Sequence, residues 1–107
     1  MSKARRREVW QIDFGFAAKV RPALLLTDET DADDELDIVT VVLHTTAVRG
    51  NRWEVSVPKP FLKPGAFHCQ QIQTISAAKL MRRLGALTED EFSKVLRKLE
   101  ERLGLSF

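Results

Sequence analysis

The chain has 107 residues, 17 Lys+Arg against 15 Asp+Glu, a formal net charge of +2 and a hydrophobic fraction of 44%, enough for one domain, residues 1–107, that buries a core without staples. One cysteine, Cys69, excludes an intrachain disulfide, and with only two histidines it cannot complete a four-ligand zinc site. The apolar runs are too short to span a bilayer, and the basic start Met1 to Arg7 leads into no apolar signal core, so a cytoplasmic, non-membrane protein is expected.

Residues 8–14 alternate, with Trp10, Ile12 and Phe14 on one face and Gln11 and Asp13 on the other, which predicts a half-buried strand ended by Gly15. Trp10 and Trp53 both fall on the apolar parity of their strands, which favours a core role over a stacking platform. Phe16 follows in a loop with Lys19 and Arg21. An aromatic ring among cations can stack a base while they hold phosphate, or it can plug the end of a barrel. Residues 22–27 read as a short strand with Pro22 at its start, where a strand tolerates it.

Residues 28–37 then hold seven acids in ten positions, read as a solvated loop. No glycine stands where a calcium loop needs one. The other 97 residues carry 17 basic and 8 acidic side chains, a charge of +9, as expected of a body that meets phosphates.

Residues 38–46 are β-branched and predict a buried strand, with Val39, Val41, Leu43 and Thr45 sharing a face. After a turn at Gly50-Asn51, Trp53, Val55 and Val57 alternate, and the two runs are expected to pair as a hairpin. Pro58, Pro60, Pro64 and Gly65 make residues 58–66 a loop. Residues 70–75 predict another strand and 76–84 a short helix closed near Gly85. The last element is the clearest. Thr88 and Glu91 form a capping box, Phe92, Val95, Leu96, Leu99 and Leu103 recur at helical spacing, and Gly104 fits the C′ position. Strands first and helices last predict a mainly β or α+β fold: a small, strongly bent antiparallel sheet or barrel with helices packed on it.

The sequence holds no P-loop, no G-x-G-x-x-G, no H-E-x-x-H and no G-x-S-x-G. Cys69 beside His68 does not make a thiol nucleophile, because neighbours on a strand point to opposite faces; a buried structural cysteine is expected. His44 has the titration range for acid–base work. It sits beside Thr45 with opposite parity, and a structural role outweighs a catalytic one.

Residues 7–15 (R-E-V-W-Q-I-D-F-G), 20–26 (V-R-P-A-L-L-L), 41–46 (V-V-L-H-T-T) and 71–75 (Q-I-Q-T-I), followed by Lys79 to Gly85 and the capped helix, resemble in order and spacing the MazF/PemK family of type II toxin endoribonucleases. The resemblance covers residues 6 to 105. It implies an SH3-like barrel with a C-terminal helix, a homodimer, metal-independent cleavage of single-stranded mRNA at short sequences, no cofactor, and a cognate antitoxin that occupies the RNA groove. On it Arg21 matches the family's catalytic arginine and Thr45 its catalytic threonine, with Thr46 as neighbour. The RNA-binding set expected with them is Phe16, Lys19, Thr46, Arg49, Arg52 and Gln71. The loop between the first two strands is shorter than usual in the family, and the acidic segment departs from its composition.

Chemistry fits such a site. RNA brings its own nucleophile, the 2′-hydroxyl, so the protein need only position the phosphate and stabilise its developing charge. A guanidinium does that bidentately, and a threonine hydroxyl adds one hydrogen bond. Arginine is too basic to take the 2′-hydroxyl proton, which leaves the acceptor open. Against this stand an Arg21 that caps the barrel or pairs with Asp13, and a Thr45 that is an ordinary strand residue. The alternative functions are a non-catalytic barrel that binds nucleic acid or a protein, and an inhibitor of a topoisomerase-like target.

Overall fold

The computed structural model describes residues 3–15, 19–30 and 36–105. Six strands precede one helix: β1 Glu8–Asp13, β2 Val20–Leu25, β3 Ile38–Thr45, β4 Glu54–Val55, β5 Ala66–Ser76, β6 Leu80–Ala86 and α1 Glu89–Leu103. They form one antiparallel sheet in the order β4-β5-β3-β2-β1-β6. The sheet curls enough that Ile75 of β5 and Leu80 of β6, from strands distant in that order, pack against the same apolar cluster. This is the mostly β, barrel-like architecture expected.

Two cores result. Val9, Leu24, Val42, Phe67 and Cys69 pack with Phe92, Val95 and Leu99 of α1, while Ile12, Ala23, Leu25, Val39, Val41 and Leu43 fill the other side. Trp10 and Phe14 join Ile12 there, as their shared parity requires, and Trp53 is half-buried against the first core. The helix is capped as read: Thr88 Oγ1 accepts from the Glu91 amide (3.2 Å), Glu91 Oε1 accepts from the Thr88 amide (2.8 Å), and Gly104 takes φ 70°. Only Leu103 departs, at 58% exposure beyond the end of the sheet-facing stripe.

Three readings are corrected. The expected hairpin does not form: β4 pairs with β5, and both edges of β3 are taken by β2 and β5. The eleven-residue β5 gives β3 a partner over nearly its whole length, from Ile38 opposite Ser76 to Thr45 opposite Ala66. Residues 49–54 instead fold on themselves, the Glu54 carboxylate accepting from the amides of Arg49 and Asn51 (both 2.8 Å). The expected helix over 76–84 shrinks to a 3-10 turn, Ala77–Lys79, capped by Ser76. The rest is β6, drawn into the sheet because β1 offers an open edge, with register shifts that bend the ladder. Finally β2 starts at Val20, which moves Arg21 from a loop into a strand.

The acidic segment is more than a solvated loop at its start. Asp28 accepts from the Arg6 amide (2.7 Å), and Glu29 accepts from the Ala4 amide and pairs with Lys3 (both 3.3 Å). Residues 31–35 lie outside the described residues.

Thr88→Ala removes the acceptor for the Glu91 amide and is expected to cost about 1 kcal/mol of unfolding free energy, measured by urea denaturation against the unchanged protein.

Candidate functional site

Ala23 of β2 faces Leu43 of β3, and two residues further toward the open end the same strands carry Arg21 and Thr45. Arg21 in turn pairs across to Ile12 of β1, and Gln11 of β1 faces both Pro22 and Arg82 of β6. At this end of the sheet lies a cavity of about 490 Å³. Its walls are Gln11, Val20, Arg21 and Pro22, then His44 and Thr45 at the end of β3 with Thr46 and Ala47 just beyond, then Phe61, Leu62 and Lys63 of the proline-rich loop, and Arg82 and Leu84 of β6. Among the described residues lining it three are cations and none is a carboxylate. Such a lining favours a phosphate-bearing ligand.

Two glycines shape this space. A Cβ on Gly65 would run into the Thr45 carbonyl oxygen and lie 2.9 Å from His44 Cε1. A Cβ on Gly85 would collide with the Phe61 ring, 2.7 Å from its Cζ. The loop therefore reaches its place over the cavity by lying on bare backbone at β6, and the end of β3 is approached as closely by Gly65.

Thr45 Oγ1 accepts from the Ala47 amide (3.0 Å), which fixes the hydroxyl and leaves its proton to donate. His44 is 4% exposed, its ring set edge-on to Phe67 with centroids 5.0 Å apart. Burial holds its imidazole below the ordinary histidine pKa. Beyond His44 a smaller cavity of about 200 Å³ runs between residues 56–59 and 62–65, and His44, Leu62 and Lys63 line both.

Arg21, Thr45 and Thr46 are thus brought together. The remaining expected residues do not line the cavity: Lys19 and Gln71 are exposed, and Arg49 is exposed on the segment that Glu54 caps. Arg52 stacks on the Trp53 ring (4.3 Å to its centroid) and approaches Glu101 of α1 (3.9 Å). Phe16 lies outside the described residues. Gln11, Lys63 and Arg82 were missed by the sequence reading. Gln11 had a signal, since it sits on the polar parity of β1; Arg82 was hidden by the helical reading of its segment.

Cys69 is buried in the first core, and burial pushes its thiol up to about 11. It is no nucleophile. Among the described residues no three His, Cys, Asp or Glu side chains gather as metal ligands, and no helix is long and apolar enough to cross a membrane.

A sequence model described as "PemK-like, MazF-like toxin of type II toxin-antitoxin system" matches residues 5–103. Among solved structures, the chain is similar to Mycobacterium tuberculosis toxin MazF-mt6, with 29% identity over 94% of this chain and 100% of that one and a TM-score of 0.79. It also resembles an endoribonuclease in complex with its cognate antitoxin from a mycobacterial species (23% identity, 96% and 97% coverage, TM-score 0.79). A third is the MazE–MazF structure from Deinococcus radiodurans (17% identity, 99% and 100% coverage, TM-score 0.76). The last two likenesses speak to the fold alone. No curated protein sequence matches the chain.

Gly65→Ala forces the loop away from Thr45 and His44 and is expected to cost roughly 1–3 kcal/mol, read by chemical denaturation. At pH 8 the raised pKa leaves far less thiolate at Cys69 than an ordinary cysteine would hold. Iodoacetamide should therefore alkylate it at least about tenfold more slowly in the folded protein than after unfolding in urea, followed by mass spectrometry.

Proposed function

Because this chain belongs to the PemK-like, MazF-like toxins of type II toxin–antitoxin systems, we propose that it is a metal-independent endoribonuclease that cuts single-stranded mRNA at short sequences. The observation that carries this reading is the meeting of Arg21, Thr45 and Thr46 in one cation-lined cavity with no carboxylate among the described residues of its walls. The scissile phosphate sits there with its oxygens toward the Arg21 guanidinium, whose planar fork matches two of them. The Thr45 hydroxyl donates one more hydrogen bond. The 2′-oxygen attacks the adjacent phosphorus, the bond to the 5′-oxygen breaks, and the products are a 2′,3′-cyclic phosphate and a 5′-hydroxyl.

Arg21 acts on the phosphorane, where charge accumulates, and Lys63 and Arg82 hold the flanking backbone. Longer-range RNA contacts fall to Phe16 and to Lys19, Arg49, Arg52 and Gln71, the last four of which lie outside the cavity walls. Gln11 and the Phe61 ring give a base a polar edge and an apolar face. Solved neighbours include a MazE–MazF pair and an endoribonuclease with its cognate antitoxin. By that analogy a cognate antitoxin covers the same cavity, and the toxin works as a homodimer in the cytoplasm.

Incubating the purified protein with single-stranded RNA and mapping the new 5′ ends tests this directly. Cuts should leave 5′-hydroxyl ends and persist in EDTA. Arg21→Ala should lower the cleavage rate by about 100- to 1,000-fold, with the melting temperature and oligomeric state unchanged. RNA that is retarded on a gel but never cut would favour a non-catalytic binding barrel instead.

A further inference from the structure

We infer that His44 takes the 2′-hydroxyl proton in this cleavage, an assignment that rests on the endoribonuclease reading above. The polar groups on the cavity walls are Gln11, Arg21, Thr45, Thr46, Lys63, Arg82 and His44. An amide side chain and a neutral hydroxyl are too weakly basic to accept a proton near neutral pH. Arginine and lysine already carry theirs, and among the described residues no carboxylate lines the walls. The imidazole is the one described lining group able to act as base.

Its placement supports the role. His44 is 96% removed from solvent, yet with Leu62 and Lys63 it lines both of two adjoining cavities. No described residue hydrogen-bonds its ring nitrogens, and none of the buried side-chain nitrogens is sealed away without a partner, so the imidazole opens onto cavity space. The edge contact with Phe67 holds the ring, and bare backbone at Gly65 makes room for it, a Cβ there lying 2.9 Å from Cε1. A histidine serving only to fill the core would sit among apolar groups on every side.

Its surroundings keep it ready. Arg21 faces the first cavity from β2 and Arg82 from β6, while Lys63 of the loop faces both. Lys59 lines the second and is paired with Glu91 of α1 (2.6 Å); β5 presents Phe67, which carries no charge. Burial disfavours the imidazolium, which favours the neutral ring at pH 7. In the step itself the 2′-O–P bond forms as the hydroxyl proton passes to the ring nitrogen. The P–O5′ bond breaks, its electron pair stays on the 5′-oxygen, and that oxygen is protonated by water. The imidazolium then returns its proton to solvent.

The test is single-turnover cleavage of single-stranded RNA between pH 5 and 8 by the intact protein and by His44→Gln, with melting curves for both. The wild type should show one acidic limb with its midpoint below 6.5 and then a plateau. His44→Gln should lose about 100-fold or more and the limb with it, and added imidazole should restore part of the rate to His44→Ala. Cleavage by His44→Gln within about threefold of wild type, or with the same limb, overturns this inference alone. Wild-type protein that leaves RNA uncut overturns the endoribonuclease reading and this inference together. Should the variants fail to fold, NMR titration of the wild-type imidazole decides: an RNA with a 2′-deoxy residue at the cut site should shift the His44 ring signals, and unmoved signals overturn the assignment.

Discussion

Strand β3 has apolar side chains packed on both of its faces. Val39, Val41 and Leu43 enter one core and Val42 the other, and its two edges are occupied by β2 and β5. A slip of one residue would exchange the two sets and drive Thr40 into a core, so the register is fixed by burial rather than by any turn. Everything at the open end inherits that precision. Thr45 stands where β3 stops, two residues past Leu43, and Arg21 stands two residues before Ala23, its partner across the ladder. The candidate site is built on strand ends whose interiors cannot move independently, which is the condition for holding a phosphate in one geometry.

The net charge of +2 acquires a spatial meaning in this frame. Two of the seven acids concentrated in residues 28–37 are consumed locally, Asp28 on the Arg6 amide and Glu29 on the N-terminal segment through Ala4 and Lys3. Two further acids, Glu8 and Glu91, are tied to Arg83 and Lys59 (2.8 and 2.6 Å). Among the described residues the cavity walls are left with Arg21, Lys63 and Arg82 and no acid. Paired acids at other places are what allow a nearly neutral molecule to present a cationic cleft, and a low-dielectric wall of Pro22, Phe61, Leu62 and Leu84 strengthens the field inside it.

What could be read from the sequence was whatever is determined locally. The parity of Trp10, Ile12 and Phe14, the β-branched run of β3, and the capped helix all follow from neighbours within one or two turns of chain. The two misread segments are those decided at long range. Residues 77–84 contain Ala, Lys, Leu, Met and Arg, good helix formers, yet the open edge of β1 overrides that preference, and Arg82 reaches the cavity only because it does. Residues 53–57 have the alternation of a hairpin arm, but β5, which follows the proline-rich loop, had already matched β3 over its length. Arg21 and Thr45 carry no local pattern that marks them as functional; they stood out only through family resemblance. Gly65 and Gly85 looked like loop punctuation and are instead points where Thr45 with His44, and Phe61, lie against backbone.

The cations and the burial of His44 then have separate consequences in the proposed reaction. Arg21, Lys63 and Arg82 attract the phosphate and stabilise the charge it gains as the 2′-oxygen attacks. Burial of the imidazole at the back wall opposes protonation and so preserves its capacity to accept a proton. A carboxylate near His44, the usual way of making a histidine more basic, would weaken the first effect and could leave the ring protonated at rest. A buried histidine on a wall with no acid among the described residues gives a weaker base that nevertheless favours its working form at neutral pH. Electrostatic stabilisation of the phosphorane therefore supplies the larger share of the acceleration, and the histidine needs only to be neutral, held by Phe67, and open to the cavity.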